Sequence, residues 1–172
     1  MEPTEATNSN VLFTVPNPFT IYNPVAQRFA TRHGNDEVRM SKPVVDGYCF
    51  MTLVEQVQGT NKIRFCLDNG AVVFRASSNS NLHSRFGNDK GTDTLFELIP
   101  RHDGTFYMRA DNGNYVSYYT SSGPVLRASK PQPDQFCVFL IREPNNSGNS
   151  DIQKASSAYE NEAEIAAAQV EI

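Results

Sequence analysis

Thr105-Phe106-Tyr107-Met108-Arg109-Ala110-Asp111-Asn112-Gly113-Asn114-Tyr115-Val116-Ser117-Tyr118-Tyr119 reads as two short strands joined by a tight turn. Phe106, Met108 and Ala110 alternate with Tyr107 and Arg109, the period of two that places one side of a strand in a core and the other outside it. Asp-Asn-Gly supplies the reversal, because glycine reaches positive φ at no steric cost and Asx side chains bond back to the backbone. In the second strand Val116 is the natural core residue and Tyr118 shares its face, so Tyr115, Ser117 and Tyr119 are expected to point outward. A turn at Ser121-Ser122-Gly123-Pro124 leads into Val125-Leu126-Arg127-Ala128-Ser129, and Phe136-Cys137-Val138-Phe139-Leu140 closes the unit.

The same unit stands upstream. Asp68-Asn69-Gly70 precedes Asp111-Asn112-Gly113 by 43 positions, with Lys62-Ile63-Arg64-Phe65-Cys66-Leu67 before it and Ala71-Val72-Val73-Phe74 after it. Leu82-His83 stands for Val125-Leu126, and Phe96-Glu97-Leu98-Ile99 is matched to Phe136-Cys137-Val138-Phe139. A weaker first copy places Ile21 for Phe65, Phe29 for Val73, Val38-Arg39-Met40 for the third strand and Phe50-Met51-Thr52-Leu53 for the closing one. Its turn, Asn23-Pro24-Val25, has lost the Asp-Asn-Gly form. Units of this length cannot bury their apolar faces alone and must stack or close into an array. A propeller needs roughly four to eight blades, whereas residues 11–143 hold three units. Three four-stranded units with threefold symmetry close into a β-trefoil, a short barrel capped by hairpins, which leaves no long sheet edge exposed.

The order strand, Asp-Asn-Gly-x-Tyr-Val, turn, small-residue strand, Phe-x-Val/Leu resembles the repeat of fascin-like trefoils and of amaranthin-type agglutinin domains. The match is good over residues 62–141 and weak over the 40 or so before them. The resemblance implies an all-β fold, a single β-trefoil, and a binding role: sugar recognition if the agglutinin side holds, filament or protein binding if the fascin side does. The Gln-x-Trp signature of ricin-type trefoils is missing, since the chain has no Trp.

The 172 residues suit one such domain with tails: a disordered N-terminus at 1–10, the trefoil at 11–143, and a linker with an acidic, partly helical tail at 144–172. Ser150-Asp151-Ile152-Gln153 has the form of a capping box ahead of an Ala- and Glu-rich run. Asn145-Asn146-Ser147 has the form of a glycosylation sequon and reads as loop. The tail carries Asp151, Glu160, Glu162, Glu164 and Glu171 against Lys154. Without it, the chain's 15 basic and 19 acidic residues fall to 14 of each. A neutral body lacks the concentrated positive charge that nucleic acid or an anionic membrane surface rewards. Cys49, Cys66 and Cys137 fall in expected strands, and an odd count without Cys-x-x-Cys spacing reads as free buried thiols rather than disulfides or zinc ligands. With no signal-peptide pattern and no apolar run long enough to span a bilayer, a cytoplasmic protein is expected.

No phosphate loop, nucleophile elbow or zinc-protease motif is present, and His33, His83 and His102 lack metal-ligand spacing. The expectation is a non-enzymatic binding module without cofactor or metal. A sugar needs an aromatic face for its ring and planar amide or carboxylate groups for its hydroxyls. Asp111, Asn112, Asn114, Tyr115, Ser117 and Tyr119 offer that set in one short span of the third repeat, so a glycan or glycoprotein is the expected partner. A fascin-like protein-binding scaffold and a trefoil protease inhibitor presenting the loop from Phe86 onward are the alternatives. The sequence leaves pairing with a second copy of the chain open.

Overall fold

Each Asp-Asn-Gly turn closes on itself. The amide of Gly113 donates to the carbonyl of Ala110 (3.0 Å), and that of Ala110 donates to the carbonyl of Asn114 (3.0 Å). Gly113 sits at φ +81° and Gly70, in the twin turn, at +84°, in the left-handed region that an L side chain resists. In the first repeat Asn23 does this work differently. Its Oδ1 accepts from the amides of Val25 (3.0 Å) and Ala26 (2.9 Å), and its Nδ2 donates to the carbonyl of Phe136 (3.1 Å). A polar side chain thus stands fully buried where the other repeats carry Leu67 and Ala110.

The computed structural model describes residues 12–144 apart from 35, 89, 121 and 122. The expected N-terminal tail and the acidic tail from 145 onward, with its helix and sequon, lie outside the described residues. Twelve strands follow in order: β1 (Thr20–Asn23), β2 (Arg28–His33), β3 (Glu37–Lys42), β4 (Thr52–Gln56), β5 (Lys62–Cys66), β6 (Val72–Arg75), β7 (Leu82–Arg85), β8 (Phe96–Pro100), β9 (Phe106–Arg109), β10 (Tyr115–Tyr119), β11 (Val125–Lys130) and β12 (Val138–Arg142). Antiparallel pairing runs β1–β12–β9–β8–β5–β4. The ring shuts through Phe19 and Met51, whose amides and carbonyls exchange bonds of 2.9 and 2.8 Å. The hairpins β2–β3, β6–β7 and β10–β11 cap it and touch one another at Val125–Arg39, Glu37–His83 and Asn81–Arg127. A six-stranded barrel under three mutually bridged hairpins is a β-trefoil, as expected.

The core follows the threefold pattern. Phe19, Ile63 and Phe106 form one set of equivalents; Ile21, Phe65 and Met108 a second; Met51, Phe96 and Phe139 a third; all are buried in one cluster. At the hairpin end Ala30, Val73 and Val116 are equivalents, each with no exposed surface. The segment ahead of β1 packs onto the core, with Phe13 against Phe106 at a ring separation of 4.5 Å and the Phe13 amide donating to Asn61 Oδ1.

Two alignments change. Phe139, not Phe136, is the equivalent of Phe96, because a 3₁₀ turn precedes the closing strand in every repeat (Gly47–Cys49, Thr92–Thr94, Gln135–Cys137) and the last two of these turns start 43 positions apart. Ala30, not Phe29, answers to Val73, because the Asn23 turn carries one more residue than the Asp-Asn-Gly turns between paired positions. Cys49 and Cys137 therefore close 3₁₀ turns and do not lie in strands; only Cys66 does. All three thiols are free.

Successive repeats are clasped by ion pairs. Arg32 on β2 reaches Asp68 in the next repeat's first turn at 2.8 Å, and Arg75 on β6 reaches Asp111 at 2.6 Å. No helix among the described residues is long and apolar enough to cross a membrane.

Candidate functional site

Antiparallel register sets three outward side chains in a row across the barrel. Lys62 on β5 stands opposite Glu97 on β8, and Glu97 opposite Arg109 on β9. Arg109 in turn pairs with Tyr115 at the start of β10. Lys62, Glu97 and Arg109, with Thr92, Leu95, Ala110, Asp111 and Gly113, line an open cleft of about 400 Å³ at the junction of the second and third repeats.

Its electrostatics are fixed from both ends. Glu97 Oε1 accepts from Arg109 Nε (3.1 Å) and an Arg109 terminal nitrogen (2.5 Å), which leaves Oε2 without a partner among the described residues. The Arg109 guanidinium lies 5.8 Å from the centroid of Tyr115, whose ring meets Tyr107 edge-on at 5.7 Å. Bonding to Arg75 holds the Asp111 carboxyl below the ordinary carboxylate range, so at neutral pH it accepts hydrogen bonds and does not donate a proton. The ammonium of Lys62 makes no bond to any described residue. One cleft thus offers a free cationic donor, a free carboxylate oxygen, a clamped carboxylate, the hydroxyl of Thr92 and the apolar surface of Leu95 and Ala110.

The six residues expected from sequence divide. Asp111 lines the cleft, and Tyr115 stands at the end of its row. Asn112 is consumed by the fold: its Oδ1 accepts from the Asn114 amide (3.1 Å) and its Nδ2 donates to the Ala128 carbonyl (2.9 Å). Asn114 is half-buried, its carbonyl closing the turn. Tyr119 lies four residues along β10 from Tyr115, roughly 13 Å at strand rise. Its hydroxyl is bound to Ser129 Oγ (2.5 Å), and Arg127 and Lys130 sit over its ring at 4.9 and 5.5 Å. Ser117 does not face outward: it is fully buried on the side of β10 that packs against the 3₁₀ turn Gln135–Cys137, and its hydroxyl donates to the Tyr118 carbonyl at 3.4 Å. Tyr118, expected beside Val116 in the core, is only partly buried against it and meets Phe136 at 6.4 Å.

Lys62, Glu97 and Arg109 were not singled out by sequence because they come from three strands that adjoin only in the closed barrel. Their one local signal is that each occupies an outward position between buried neighbours, which marks exposure and nothing more. Burial pushes the thiols of Cys49 and Cys137 up to about 11, and it raises that of Cys66 as well. His83 faces Asp36 at 3.6 Å and the ring of Phe74, apart from any cysteine partner. Among the described residues no group of three His, Cys, Asp or Glu side chains could hold a metal ion.

Among solved structures, the chain resembles a designed threefold-symmetric protein, ThreeFoil (TM-score 0.62, 11% identity, 73% of this chain and 97% of that one). It also resembles the BEL β-trefoil in an apo crystal form (TM-score 0.64, 15% identity, 78% of this chain and 97% of that one). At such identities the likeness defines the class of protein, a β-trefoil, and no more than the fold. No protein-family model matches the chain, and no curated protein sequence matches it.

Proposed function

We propose that the protein is a non-enzymatic binding module that holds a carbohydrate across the Lys62–Glu97–Arg109–Tyr115 row. The observation that supports this reading is the row itself: donor, acceptor and donor set by strand register into one cleft with Asp111 beside them, and an aromatic side chain, Tyr115, paired with Arg109 at the end of the row. Sugar hydroxyls are both donors and acceptors, so they bind best where fixed groups of both kinds converge. Glu97 Oε2 and the Lys62 ammonium supply one of each. The aliphatic face of a pyranose needs an apolar surface, which Leu95, Ala110 and the ring of Tyr115 provide. The carboxylates of the cleft are held by arginines, which suits steady hydrogen bonding better than proton transfer.

A glycan array probed with the full chain tests the reading. Glu97→Gln and Lys62→Met should each weaken binding by about tenfold to a hundredfold, the worth of one hydrogen bond to a charged group. Tyr115→Ala should do the same, with the melting temperature monitored because the ring packs on Tyr107. An array without signal, or signal indifferent to Glu97→Gln and Lys62→Met, would remove the proposal.

A further inference from the structure

The threefold pattern is broken at one junction. Arg32 and Arg75 occupy equivalent positions on the second strands of the first two repeats, and each is clasped to an aspartate of the repeat that follows. A further step of 43 along the chain reaches Tyr118, not an arginine. The position equivalent to Asp68 and Asp111 in the first repeat is Pro24. Both halves of the clasp are therefore missing where the third repeat meets the first. A hollow of about 280 Å³ lies there, lined by Ala26, Arg28, Met40, Ser41, Tyr118, Thr120 and Pro124.

A cation does enter this junction, but from the other side. Arg28 stands where the second and third repeats carry Ala71 and Asn114. Among the described residues its guanidinium donates only to the neighbouring carbonyl of Gln27, at 2.9 Å, and no carboxylate of those residues pairs with it. The carboxylate of β3, Glu37, is already taken by Arg39 at 2.7 Å. At the two intact junctions an arginine and a carboxylate close the gap; at the third both are replaced, and a different arginine, Arg28, stands on the other side without an acid among the described residues. Beside it are the ring of Tyr118, the apolar surface of Ala26, Met40 and Pro124, and the hydroxyls of Ser41 and Thr120.

We infer that this hollow is a second binding site, for a small ligand whose carboxylate is carried on a ring with an apolar face. The ligand's carboxylate pairs with Arg28 as Asp68 and Asp111 pair with their arginines, its ring lies against Tyr118 and Pro124, and any ring hydroxyls meet Ser41 and Thr120. An acidic sugar and a hydroxyl-free ring carboxylate share this chemistry. The site lies at a different junction from the Lys62 row, so either can fail without the other.

Calorimetric titration of the full chain with glucuronate, glucose and cyclohexanecarboxylate tests the inference. Glucuronate should bind with a dissociation constant of about 1 mM, which is within reach of a ligand of its size. Glucose, lacking the carboxylate, should bind at least about tenfold more weakly. Cyclohexanecarboxylate equal to glucuronate would identify the ring carboxylate as sufficient; a much weaker response would identify the acidic sugar. Arg28→Gln, an exposed change that leaves the core untouched, should lower affinity about tenfold or more. The double variant Pro24→Asp with Tyr118→Arg installs the clasp of the other junctions and should abolish binding. Absence of saturable glucuronate binding, equal binding of glucose, or unchanged affinity in Arg28→Gln would each overturn it.

Discussion

Asp111 shows how one residue serves both fold and cleft. Its carboxylate accepts from Arg75 at 2.6 and 3.3 Å, with both side chains less than a fifth exposed. Asp111→Asn should therefore lower stability by about 1–2 kcal/mol at neutral pH, as loss of a charge-assisted bond in a partly screened pair. Because Arg75 depresses the folded-state pKa of Asp111, the stabilisation is present above the unfolded value of about 3.9 and is lost as pH falls through the lower folded value. Urea melts at stepped pH should show the gap between wild type and variant shrinking below about pH 4 and closing under more acidic conditions. A gap that stays constant down to pH 2 would mean that Asp111 contributes through something other than its charge. Sequence marked Asp111 as a candidate from its residue type alone. Its partner 36 positions away on another repeat could not be read locally, and neither could the burial of Ser117, which a 3₁₀ turn imposes from beyond its own hairpin.

At the scale of the element, the turns are where local chemistry decides most. A Cβ built on Gly113 meets no atom within 4 Å, so a side chain there has room but the wrong φ. Gly113→Ala should then cost about 1–2 kcal/mol through backbone strain alone, measured as a lower denaturation midpoint with an unchanged slope. A neutral result would show that the turn can relax to negative φ. A second device repeats in the first and third units. Lys42–Asp46 and Lys130–Asp134 pair at 3.1 Å, and each aspartate accepts from a turn amide (Tyr48, Phe136) and from a thiol (Cys49, Cys137). Ser41-Lys42-Pro43-x-x-Asp46-x-x-Cys49 recurs as Ser129-Lys130-Pro131-x-x-Asp134-x-x-Cys137, 88 positions on. That identity was open to sequence reading, and it would have aligned the closing strands correctly. The second repeat lacks the device. There Arg64 pins the turn through Thr94 Oγ1 and the Lys90 carbonyl, both at 2.8 Å, and is itself held by Glu55 on β4.

For the molecule as a whole, closure is the dominant constraint. β1 and β12 lie side by side, with Thr20 opposite Arg142, so both ends of the described chain emerge from the same part of the barrel. Joining the termini, with the flanking segments as linker, and opening the chain between the exposed residues Gln58 and Gly59 should leave the fold intact. The permutant should melt cooperatively within about 10 °C of the parent, with the same far-ultraviolet circular dichroism; an unfolded permutant would show that the β4–β5 connection is indispensable. Three repeats, four strands in each and the turns between most of them follow from the amino-acid sequence by itself, because alternation and turn chemistry act over a few residues and are written there directly. Tertiary structure alone decided that Lys62, Glu97 and Arg109 stand in one row, that Ser117 is covered, and that Arg28 and Tyr118 share a hollow. Those neighbours are set by which strands meet when the barrel shuts, and that pairing joins residues far apart in the chain.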